Sequence, residues 1–156
     1  MQPEKNCGFL QELTSTSAVV EEDVGTIRRD KFGNTYRYSQ AGATALEVGK
    51  NTTAPATNAD WENIAVTTAV AVGGKTITAT NVAVGADVLV ADYFKGGQIH
   101  VNDAGGEGYW YRIVSSSALT ATSTTVYIGI DDGVKVALTT SSEITLVPSN
   151  YRYTIE

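Results

Sequence analysis

The chain has one cysteine, one histidine and three prolines among 156 residues, and each scarcity removes a class of chemistry. With Cys7 alone, no intrachain disulfide forms and no thiolate cluster holds zinc. So low a count fits synthesis in a reducing cytoplasm. With His100 alone, a cluster of imidazole ligands is excluded by arithmetic, and a Ser–His–Asp triad has a single place to form. His100 lies in the alternating run Gln98–Asn102, and no G-x-S-x-G nucleophile elbow is present. A strand histidine is the ordinary reading.

Charge and long apolar runs are scarce too. Charged residues make up 18% of the chain, the net charge is −6 and the pI is near 4.7. General nucleic-acid binding is disfavoured, because neutralising phosphates needs a basic surface. No apolar run approaches the roughly 18–20 residues of a membrane helix. The start, MQPEKNCGFLQEL, lacks a basic region followed by an apolar stretch, so no signal peptide is expected.

What is present is β pattern. Hydrophobic residues at 42% suffice for a core, and Thr, Ser, Ala, Val and Gly replace the missing charges. The segment Lys95–Ile113, KGGQIHVNDAGGEGYWYRI, reads as two strands about a glycine-rich turn at Asp103–Gly108. Gly25–Asp30 and Thr35–Ser39 form a second hairpin around Lys31–Asn34, with Gly33 or Asn34 in the left-handed region. Further strands are expected at 66–72, 75–80, around 82–90, at 124–130 and at 143–147. Asp131-Asp132-Gly133 is expected to turn a hairpin into a strand at 134–138, and a last strand is expected at 151–155. A short helix is expected around Gly42–Val48. Turn-marked intervals of roughly 8–12 residues are the signature of a barrel or sandwich. The fold class is therefore all-β, mainly antiparallel, as a barrel or sandwich with an extended N-terminal arm. Its expected divisions are an arm at 1–24, a hairpin and linker at 25–63, and a C-terminal β domain at 64–156.

Acids and glycines carry no clear chemistry. Asp103 and Glu107 flank one turn and Asp131 and Asp132 another, where Asp beside Gly is what turn geometry itself selects. Two such acids are also what glycoside hydrolysis or a bound calcium ion uses, but the D-x-D-x-D-G spacing is missing. Gly73-Gly74-Lys75-Thr76 contains a GKT string, yet Ala69 stands where a phosphate-binding loop needs glycine. Neither cofactor nor metal is expected, and the chain does not read as an enzyme. Tyr109-Trp110-Tyr111 places Trp110 on one strand face and both tyrosines on the other. Packing is the ordinary reading and sugar stacking the sharper one. Arg28, Arg29 and Arg37 are the main local concentration of basic charge, suited to an acidic partner surface.

Residues 25–46, GTIRRDKFGNTYRYSQAGATAL, together with KTITAT, YFKGGQIHVNDAGGEGYWYRI, DDGVKVAL and LVPSNY, resemble the capsid decoration (cement) proteins of tailed bacteriophages. The likeness covers most of 25–151 and rests on structural motifs, not a catalytic signature. It implies a virion protein, made in the host cytoplasm, that binds the outer capsid surface and bridges major capsid protein subunits. It also implies a homotrimer that contacts neither nucleic acid nor membrane. The residues expected at the capsid interface are Phe9, Leu10 and Leu13 on the arm, with Arg28, Arg29 and Tyr36 on the first hairpin. The alternative is a carbohydrate-binding or fibre-associated surface module using Trp110.

Overall fold

The computed structural model describes residues 13, 15–47, 50–80, 89–120 and 125–153. The chain is all-β and antiparallel, and it divides into two compact units, Met1–Pro55 with Asn150–Glu156, and Ala56–Ser149.

The first unit is built on β1 (Ile27–Arg29) and β2 (Thr35–Arg37), a two-stranded sheet of its own. The ladder continues past the strands, with Tyr38 N–H donating to Thr26 C=O at 2.9 Å and Gly25 N–H to Tyr38 C=O at 2.8 Å. The reversal at 31–34 follows the expected chemistry. Gly33 sits at φ +85°, a conformation that costs a residue without a side chain little. The expected helix at 42–48 does not form, and residues 42–47 are irregular. Seven residues that begin with a glycine and include a β-branched Thr44 are too few to repay the cost of helix nucleation. The expected strand at 151–155 is also absent among the described residues. Tyr151 and Arg152 turn instead, Gln40 N–H takes the Tyr151 carbonyl at 2.8 Å, and Tyr153 at φ +55° breaks the extended run.

The second unit holds six strands: β3 (Ile64–Ala65), β4 (Thr76–Thr80), β5 (Gln98–Asp103), β6 (Trp110–Ser116), β7 (Thr125–Ile130) and β8 (Glu143–Val147). Their order across the sheet is β3-β8-β5-β6-β7-β4, with antiparallel neighbours throughout. β6 belongs to both halves. Its first residues pair with β5, its last with β7, and the register shifts between Ile113 and Ser115, where the bulge bends the strand. The sheet nearly closes on itself, because Val66 bridges to Ala79 and Thr67 N–H reaches Thr78 C=O at 2.8 Å. Of the two expected architectures, the barrel is the one formed.

Period-two alternation decides which side chains enter. Ile99 and Val101 on β5, Tyr111 and Ile113 on β6, Val126, Ile128 and Ile130 on β7, and Ile144 and Leu146 on β8 are all buried. Each aliphatic side chain so buried contributes about 1.5–3 kcal/mol. Ser142, a polar residue taken inside, is paired: its Oγ donates to Gly105 C=O at 2.8 Å and accepts from Thr139 N–H at 3.1 Å. A short 3-10 turn, Ala59–Trp61, buries Trp61, whose ring meets Tyr93 and Phe94 edge-on at 5.4 and 5.0 Å.

Two expected strands differ, and a third falls mostly outside the described residues. At 66–72 only Val66 and Val70 make isolated bridges, and Val72 is exposed. Around 82–90 residues 82–88 lie outside the described residues, while Leu89 bridges to Leu119. The strand at 134–138 is replaced by an irregular run that does not fold back on β7. Its backbone serves the 70–74 turn: Val134 exchanges bonds with Gly73 and Gly74 at 2.8 and 3.0 Å, and Leu138 exchanges both with Val70 at 2.9 Å. The approach is so close that a Cβ on Gly133 would meet the Gly73 backbone.

Candidate partner-binding surface

The β1–β2 hairpin is shaped by one carboxylate. Asp30 Oδ1 accepts from Phe32 N–H at 2.8 Å and Asn34 N–H at 2.9 Å. Its Oδ2 accepts from Asn34 Nδ2 at 2.8 Å and Tyr36 O–H at 3.2 Å. These donors, the Asn34 side chain first, hold the Asp30 carboxyl below its ordinary range, and the same carboxylate raises the Tyr36 phenol. The loop is thereby fixed in a shape that presents Phe32 outward.

Its surface is apolar and basic together. Phe32 is 78% exposed, with Lys31 Nζ 5.0 Å from its ring centre, and Ile27 and Tyr36 are exposed as well. Arg28, Arg29, Lys31 and Arg37 set four cations against the single acid Asp30, a net of +3. The remaining seven cations and sixteen acids of the chain give −9. An exposed two-stranded hairpin is marginal in water. Here Arg37 helps to tie it down, donating to Gly25 C=O at 3.0 Å with its guanidinium 5.0 Å from the Tyr151 ring.

Beside β2 runs a groove of about 770 Å³, lined on one side by Tyr36–Ala41 and elsewhere by Leu13, Ser15–Val20, Ala45 and Leu46. Of the residues expected at the interface, Leu13 and Tyr36 line this groove together. Arg28 stands directly opposite Tyr36 and shares its face, while Arg29 opposes Thr35 on the other face. The hairpin trio is thus divided between two faces. Phe9 and Leu10 lie outside the described residues. Sequence reasoning passed over Phe32, the most exposed large hydrophobic residue among those described. Its signal was a lone aromatic between Lys31 and Gly33 at a hairpin tip, where no core can claim it.

On the barrel, the expected chemical groups do structural work. Asp103 Oδ1 accepts from Ala104 N–H at 2.7 Å, Lys75 Nζ donates to Asp131 C=O at 2.9 Å, and Asp132 pairs with Lys135 at 3.7 Å. Among the described residues, no group of three or more His, Cys, Asp or Glu could hold a metal ion. The aromatic triplet separates. Tyr111 is buried with its hydroxyl accepting from Lys135 N–H at 3.1 Å, and Tyr109 stacks on it at 6.4 Å and 11°. Trp110 points to the outer face beside His100. Among the described residues no helix is long and apolar enough to cross a membrane. Comparison with protein-family models, curated proteins and solved structures finds no match.

Proposed function

We propose that this chain acts by adhesion: a structural virion protein that binds the outer surface of a phage capsid and bridges major capsid protein subunits, stabilising the head. The observation that carries the reading is the hairpin. A loop fixed by four hydrogen bonds to Asp30 holds Phe32 in solvent beside Lys31, on a hairpin that also carries Arg28, Arg29 and Arg37, and no core of the hairpin takes the ring in. Aromatic and arginine side chains of this kind are what interface hot spots are made of. An acidic remainder suits a protein outside the shell, and repeated attachment to a lattice turns modest contacts into durable ones. A homotrimer gathered at a three-fold position is part of the same proposal. The test is co-sedimentation with undecorated heads. The intact chain is expected to saturate them, and a chain lacking residues 1–24 is expected to lose binding while its barrel stays folded. Normal decoration by the truncated chain would remove the arm from the account.

The rival carbohydrate-binding reading rests on Trp110, which is 59% exposed. Because Tyr109 and Tyr111 pack on the opposite side of β6, Trp110 gains no stacking platform from them. Quenching of its fluorescence by polysaccharide, lost in Trp110→Ala, would revive that reading.

A further inference from the structure

The groove beside β2 ends on a strand edge, and the register of the hairpin says which backbone groups face it. Tyr36 lies opposite Arg28, and Tyr38 exchanges bonds with Gly25 and Thr26. In an antiparallel ladder the bonded positions alternate, so the N–H and C=O of Arg37 and Ser39 turn away from β1. Residues 36–41 line the groove and no residue of β1 does, so that side is the groove itself. Resting on the adhesive reading above, we infer that this groove takes an extended, acid-bearing segment of the partner protein as a third strand of the hairpin sheet.

Three features fit that occupant. The edge from Tyr36 to Gln40, ending where Ala41 already makes a β-bridge, spans about 16 Å, enough to pair with a short strand. The facing wall is made of small and apolar side chains, Ala18, Val19, Val20, Ala45 and Leu46, suited to the alternate side chains of an added strand. Among the described residues lining the groove, Arg37 is the only charged one. One of its N–H donors goes to Gly25, and a guanidinium has five, so a carboxylate on the incoming strand has donors to meet. Glu21, Glu22 and Asp23 follow the lining segment in the chain but do not line the groove. The β1 edge, where Ile27 and Arg29 turn outward, does not line this groove. Arg37 thus matches an acidic strand and repels a basic one.

The test uses the full chain, isotope-labelled, and a capped octapeptide alternating valine and threonine with glutamate, beside its lysine twin. The glutamate peptide is expected to shift the Arg37 and Ser39 amides saturably and to slow their exchange about tenfold. The Tyr36 and Tyr38 amides, already bonded to β1, should stay in place, and the lysine twin should bind at least about tenfold more weakly. Ser39→Pro, which removes an edge donor and, besides it, only the bond from Ser39 Oγ to Arg37 C=O at 3.3 Å, should abolish the shifts. If that variant fails to fold, the wild-type exchange data decide alone. Absence of shifts at Arg37 and Ser39 would overturn the inference. So would amides already protected before peptide is added, or self-association that Ser39→Pro abolishes. Head binding separates the two levels: Ser39→Pro that still decorates heads overturns strand addition and leaves adhesion standing. A wild-type chain that takes the peptide at this edge yet ignores heads overturns adhesion and leaves the groove standing.

Discussion

The barrel and the hairpin use the same secondary structure in opposite ways. In the barrel, alternation sends Ile99, Ile113, Ile128 and Ile144 into a core from which water is excluded, and the sheet nearly closes its edges through Val66 and Thr67. In the hairpin, Ile27, Phe32 and Tyr36 stay exposed and both strands keep an outer edge. Closure protects a sheet from unwanted pairing, and an open edge invites it. On the function proposed above, the barrel supplies the stability and the hairpin the adhesion.

The comparison breaks most visibly if the barrel is weakened. Ile128→Ala, at a fully buried site on β7, should cost about 2–5 kcal/mol in urea unfolding monitored by circular dichroism. The reverse experiment leaves the barrel alone. Arg29→Glu with Lys31→Glu should lower affinity for undecorated heads by about tenfold or more at low salt, flatten its salt dependence, and change unfolding by less than about 0.5 kcal/mol. Phe32→Ala should give a smaller loss, several-fold in the dissociation rate of the head complex measured by surface plasmon resonance. Its melting temperature should not move, because the ring is already in solvent. The smallest effect is on pH. Asp30 titrates below its ordinary value of 3.8 in the folded hairpin. Its contribution is therefore complete above that value and is lost as pH falls through the lowered one. Amide shifts of Phe32 and Asn34 should report this loosening in acid, and Asp30→Asn should show it already at neutral pH.

How much of this was legible in the sequence depends on what each residue answers to. The strand at 143–147 was readable to the residue, since its alternation is enforced by one buried face. The 134–138 run alternates just as well, with Val134, Val136 and Leu138. Its pairing was set by a distant partner, the 70–74 turn, which no local pattern announces. Gly33 and the Lys31–Asn34 reversal were readable because turn geometry is local. The tie from Asp30 to Tyr36 O–H depends on a cross-strand approach, and the groove beside β2 on a segment some twenty residues upstream. Arg28 and Arg29 were found by charge, but their division between two faces needed the register.

The most direct test of the division of labour is saturation binding to undecorated heads by three full-length chains: wild type, Arg29→Glu with Lys31→Glu, and Trp110→Ala. Adhesion through the hairpin predicts that wild type and Trp110→Ala saturate equally while the charge-reversed chain falls off. Equal binding by the charge-reversed chain, or a wild-type chain that leaves heads bare, would contradict it.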